Sequence, residues 1–116
     1  MSTNTRIDAG ANAKQGGKSM YGVVAEFTMD RARDEEHRRA LQEEVIPTTR
    51  QVPGFVSGYW MNEPTGPKSY VLTVWGTEEQ ARAFIRVVEE RRPRGEQAGV
   101  GYDSFTVVEV LGEAHR

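Results

Sequence analysis

The chain has 116 residues, a formal net charge of −2, no cysteine, and 28% charged residues of both signs. That length suits one domain around one core, and the absence of cysteine excludes disulfides, a thiolate nucleophile and cysteine-based metal sites. The mixed charge lacks the basic field of a nucleic-acid binder. No apolar run approaches the ~20 residues of a membrane span, nor is there a secretory-type apolar leader. The expectation is a soluble cytoplasmic protein with no nucleic-acid or membrane partner.

Residues 1–19 are polar, with Ile7 their only large aliphatic side chain. Such a segment buries too little surface to offset its ordering entropy, so a flexible N-terminal tail is expected, followed by a domain over 20–112 and a short C-terminal tail, 113–116. From Tyr21 to Met29 the pattern is that of a strand, with Tyr21, Val23, Ala25, Phe27 and Met29 on one face. Asp30 offers an N-cap for a helix from Arg31 to Ile46, whose inward stripe is His37, Leu41 and Val45. Pro47 is expected to end or kink this helix, and Pro53-Gly54 to make a turn.

Phe55 to Asn62 reads as the second strand, residues 63–67 as a hairpin loop, and Lys68 to Trp75 as the third strand. Thr77 and Gln80 predict a capping box for a second helix, Glu78 to about Arg91, with Ala81, Phe84, Ile85 and Val88 on its apolar face. Pro93 is expected to close that helix. Gly95, Gly99 and Gly101 predict a mobile loop before a fourth strand, Tyr102 to Leu111.

The order β-α-β-β-α-β defines an α+β ferredoxin-like plait, a four-stranded antiparallel sheet with two helices on one face. Two helices cover only one sheet face, yet the strands are apolar on both: Val71 and Trp75 alternate with Leu72 and Val74, and Phe105 and Val107 with Val108 and Val110. The second face needs a partner, and a homodimer packing sheet on sheet supplies one.

The helix-to-Pro53-Gly54-Phe55 junction, the hairpin, and Tyr70-Val71-Leu72-Thr73-Val74-Trp75 running into helix 77–91 resemble the dimeric α+β barrel superfamily. The likeness is to its antibiotic biosynthesis monooxygenase-like domains and spans about Met20 to Leu111. It implies a dimeric α+β barrel. The activity it implies is cofactor-independent monooxygenation, with molecular oxygen, of a small quinol-like or polyketide-like aromatic in a pocket between sheet and helices. No cofactor and no metal is expected. Other relatives degrade haem, and others have no established activity. The haem branch needs an axial His near the end of the second helix, a Trp inside it and an Asn in the first strand. Those positions fall at about Arg94, Phe84 and Phe27, and none matches. The alternative is a non-catalytic dimeric module of the same fold that binds a small apolar ligand or serves a stress-related role.

A cofactor-free oxygenase must exclude water, position the ring and stabilise developing negative charge with fixed donors. Trp60 and Asn62, on one face of the second strand, are candidate catalytic donors, and His37 a candidate proton-transfer residue. Tyr59, Tyr70, Phe84 and Arg94 are candidate substrate-binding residues, with Arg92 and Arg94 placed to clamp an anionic substrate beneath the glycine-rich loop. Each has a structural role open to it as well: packing for Trp60, turn stabilisation for Asn62, a satisfied helix histidine for His37, dimer packing for the tyrosines, dipole compensation for the arginines. Trp75 reads as core. No nucleophile triad, phosphate loop or metal-ligand spacing appears.

Overall fold

The apolar alternation of Tyr21–Met29 produces a central strand, and the rest of the domain is built around it. In the computed structural model, which describes residues 19–116, the elements are β1 (Tyr21–Met29), α1 (Asp34–Ala40), α2 (Ile46–Arg50), β2 (Phe55–Asn62), β3 (Lys68–Trp75), α3 (Glu78–Glu90), α4 (Arg92–Gln97) and β4 (Val100–Glu109). All but the last residue of the expected N-terminal tail lies outside the described residues. The sheet is antiparallel, in the order β2-β3-β1-β4, and the chain has the expected α+β ferredoxin-like architecture. Among the described residues no helix is long and apolar enough to cross a membrane.

Both predicted helix starts form through side-chain caps. Asp30 accepts from Ala32 N–H at 3.1 Å, opening a short 3-10 turn (Arg31–Arg33) ahead of α1. Thr77 Oγ1 accepts from Gln80 N–H at 3.1 Å, which is half of the expected capping box. The Gln80 side chain instead lies over Gly54, where a Cβ would approach it to 2.1 Å; Gly54 also needs φ +91°.

Three boundaries differ from expectation. The first helix does not stop before Pro47: Leu41–Val45 widens into a π-turn, with Ile46 N–H donating to Leu41 C=O, and α2 continues to Arg50. The wider turn accommodates the proline ring and its missing N–H, which an α-turn would not. The second helix does end where expected, at Glu90 with Arg91 as its C-cap, but Pro93 then sits in the first turn of a new helix, α4, where no intrahelical N–H is required. The predicted mobile loop is therefore largely helix, and β4 begins at Val100 and ends at Glu109.

The core lies under α3. Trp75, 0% exposed, stacks on Phe84 at 4.7 Å between ring centroids, meets Phe55 edge-on at 5.5 Å, and packs with Val23 and Ala81. Its indole Nε1–H donates to buried Thr73 Oγ1 at 2.9 Å. The Thr73→Val variant keeps the shape but strands that donor, so it should lose about 1–3 kcal/mol in urea unfolding, while Thr73→Ser retains most of the wild-type stability.

Candidate active site

The helices treat the sheet unequally. α3 is docked through Ala81 and Phe84, whereas nothing from Arg31 to Val45 is buried. The apolar stripe of the first helix therefore faces a cavity of about 690 Å³ between itself and the sheet, within the usual size range for small-molecule sites. Leu41 and Val45 form one wall, Phe84 and Val88 another, and Ala25, Phe27, Val71 and Phe105 the floor.

Strand register decides which candidates reach it. On the cavity face, Trp60, Val71, Ala25 and Phe105 form one row across the four strands, and Asn62, Ser69, Phe27 and Tyr102 form the next. Trp60 and Asn62 thus both line the cavity, from the edge strand β2. Room for the indole is left by Gly58, where a Cβ would stand 3.0 Å from the Trp60 ring. His37, Phe84 and Arg94 also line the cavity. Phe84 does so while stacked on Trp75, which makes it as much core as wall.

Tyr59 and Tyr70 are not brought to this place. They pair with Leu72 and Met61 on the opposite sheet face and are exposed, Tyr59 to 62%. As the alternation of the hairpin dictates, a protomer that lets Trp60 and Asn62 face the cavity turns Tyr59 and Tyr70 away from it.

His37 Nε2 lies 2.6 Å from Ala98 C=O. A carbonyl only accepts, so Nε2 carries a proton, and in the neutral ring Nδ1 is then the acceptor; Nδ1 is buried and unpartnered. Arg33 Nη1 donates to Gln97 C=O at 2.8 Å, and Arg94 pairs with Glu44 at 2.6 Å. These contacts strap α4 to the first helix along the cavity rim. Arg92 turns away from the role of a free clamp: it pairs with Glu89 at 2.7 Å, and its guanidinium lies 4.9 Å over the Tyr102 ring. Among the described residues no group of His, Asp and Glu is arranged to hold a metal ion.

The lining residue that sequence reasoning missed is Tyr102. Strict alternation puts it on the face opposite Phe105, but β4 carries a bulge: Glu26 pairs with Ser104 and Phe27 with Tyr102, leaving Asp103 as the extra residue. Tyr102 and Phe105 consequently both face the cavity, with Phe27 edge-on to each at 5.3 and 5.9 Å. The bulged Asp103 is held on the far face by Thr28 Oγ1–H at 2.7 Å and Lys68 Nζ at 2.9 Å, and Lys68 also meets Glu26 at 3.1 Å. The only sequence signal for this is an Asp where the strand pattern asks for an alternating residue.

The antibiotic biosynthesis monooxygenase family model matches residues 20–84, more than half of the chain. The chain belongs to the antibiotic biosynthesis monooxygenase family. A Streptomyces coelicolor monooxygenase, ActVA-Orf6, solved in complex with nanaomycin D, superimposes with a TM-score of 0.57 at 21% identity, over 85% of this chain and 91% of that one. A putative antibiotic biosynthesis monooxygenase from Chloroflexus aurantiacus J-10-fl does so at 0.59 and 19% identity, over 84% and 98%. A Nitrosomonas europaea protein of unknown function reaches 0.62 at 8% identity, over 85% and 94%. At such identities these likenesses establish the fold alone. No curated protein matches the chain by sequence.

The bulge also carries a pH signature. Asp103 is held below the usual carboxylate value, first by the Thr28 hydroxyl and then by Lys68. A depressed folded-state value stabilises above the unfolded value of about 4 and is lost as pH falls through the folded one. Chemical unfolding at a series of pH values should therefore show wild type more stable than Asp103→Asn above pH ~4, with the two curves converging at lower pH.

Proposed function

We propose that this protein is a cofactor-independent monooxygenase that oxidises a small electron-rich aromatic, quinol-like or polyketide-like, with molecular oxygen in the cavity between the first helix and the sheet. The observation that carries this reading is the cavity: about 690 Å³ with an apolar floor and neutral donors on its β2 wall, in a member of a monooxygenase family. The apolar walls of a pocket open to water favour a ligand that covers them.

In the proposed reaction the deprotonated substrate passes one electron to O2. The radical pair combines to form a C–O bond, the peroxide anion takes up a proton equivalent to the one the substrate lost, and the resulting hydroperoxide loses water. A ring CH2 becomes C=O, one oxygen atom entering the product and the other leaving as water. The chain's part is to hold the ring against Phe27, Val71 and Phe105, keep bulk water out, and donate from Trp60 Nε1–H and the Asn62 amide to the developing oxyanion. We assign His37 to anchoring α4 through Ala98, because a base role would fall to the enclosed Nδ1. Arg94, paired with Glu44 at the rim, meets the substrate only on entry.

The outer sheet face supports a homodimer. Val24, Tyr59, Met61 and Tyr70 are all exposed there, an apolar patch beside the Lys68–Glu26–Asp103 cluster and of the kind that marks an interaction surface. We assign Tyr59 and Tyr70 to this interface. Light scattering behind gel filtration should give a dimer for wild type and a folded monomer for Val24→Glu; a monomeric wild type at micromolar concentration would remove the dimer from the reading.

Oxygen uptake with a panel of hydroquinones and anthrones, without added metal or flavin, tests the activity. Saturable uptake is expected, falling by about 100-fold in Trp60→Phe or Asn62→Ala, the size of effect seen on removing one oxyanion donor. Absence of uptake across the panel, with the ligands still bound, would make the protein a binding module instead.

A further inference from the structure

The two polar ends of the cavity floor lie far apart. Asn62 and Tyr102 close opposite ends of one cross-strand row, Asn62–Ser69–Phe27–Tyr102. Three strand spacings separate their backbones by roughly 14 Å. Trp60 stands beside Asn62 in the adjacent row. Between the ends the floor offers the Phe27 ring and the small Ser69, whose hydroxyl is committed to Met61 C=O at 2.9 Å.

Tyr102 has the attributes of a built donor rather than a packing residue. The Asp103 bulge turns it inward. Its ring is held by Phe27 edge-on and by the Arg92 guanidinium. Its hydroxyl stands over Gly95, where a Cβ would lie 2.1 Å from the oxygen, so α4 supplies space at the one point that lets the phenol fit. Among the described residues that hydroxyl has no partner; the Arg92 Nη1–H reaching Tyr102 goes to the main-chain carbonyl. Burial raises the phenol above its usual value, so at neutral pH it is a neutral donor.

We propose that Tyr102 is a second hydrogen-bond donor of the site, selecting ligands that carry one oxygen function directed to Trp60 and Asn62 and another directed to Tyr102. This rests on reading the cavity as an aromatic-ligand site and adds a specificity residue: Tyr102 favours ligands that carry an oxygen function at the α4 end as well as at the β2 end.

The test compares two stable probes by quenching of protein fluorescence. One is anthraflavic acid, with a phenol at each end of three fused rings; the other is the monohydroxy anthraquinone that lacks one of them. Wild type should prefer the dihydroxy probe by about tenfold, the worth of one buried hydrogen bond. Tyr102→Phe, which keeps the ring packing, should abolish that preference while leaving the affinity for the monohydroxy probe within about twofold. Gly95→Ala, which keeps the phenol but displaces its hydroxyl, should do the same. A preference that persists in Tyr102→Phe, or equal weakening toward both probes, would overturn the proposal, as would failure of wild type to bind either. Oxygen uptake with dithranol, an anthrone, is scored separately. A Tyr102-dependent preference without uptake would uphold the donor and sink the oxygenase, whereas uptake with one-ring hydroquinones and no binding of either anthraquinone would do the reverse.

Discussion

One stacked pair organises this domain. Trp75, at the end of β3, lies on Phe84 of α3 and gives its indole N–H to Thr73, so a large ring is desolvated with its polar atom satisfied. This contact docks α3 close to the sheet, together with Val23 and Ala81. Having one helix so placed sets the height of the layer above the sheet. The other helix spans the same gap without side chains large enough to fill it, and His37, Leu41 and Val45 end up lining space instead of entering a core. The cavity is thus a consequence of unequal helix docking on one apolar sheet face.

The rim is polar where the floor is not. Glu44–Arg94, His37–Ala98 and Arg33–Gln97 join the first helix to α4 by contacts that are largely solvent-exposed, and exposed pairs contribute little stability each. Their value is positional: they hold α4 so that Gly95 lies over Tyr102. On the opposite sheet face the Lys68, Glu26, Asp103 and Thr28 cluster does a comparable job, fixing the extra residue of the β4 bulge. Two electrostatic networks on different surfaces therefore converge on the placement of one phenol.

The parts legible in the sequence follow from local rules. Alternation located all four strands and correctly separated Trp60 and Asn62 from Tyr59 and Met61, because a two-residue period has no other solution within an unbroken strand. Asp30 and Thr77 announced their helices, since a side-chain oxygen at an N-cap is local chemistry. The prolines marked irregularities without saying what the chain does after them. Pro47 was accommodated by a π-turn and Pro93 by the first turn of a new helix, and both outcomes depend on what the chain packs against rather than on the residue itself. The match to the monooxygenase family was likewise readable from the order of the Pro-Gly-Phe junction, hairpin and Trp-terminated strand.

What the sequence by itself determined is the β-α-β-β-α-β order and the alternation within β1, β2 and β3, and hence that an indole and an amide share one face; with both faces apolar, which of them is the inner wall was left to the tertiary structure. Only the tertiary structure decided that the inner wall borders open space, because the gap depends on how closely each helix approaches the sheet. It alone decided that Tyr102 belongs to that space, because the bulge at Asp103 shifts the pairing of β4 by one residue and reverses the face of every side chain before it. A period of two carries no memory of a single inserted residue until the neighbouring strand is there to register it.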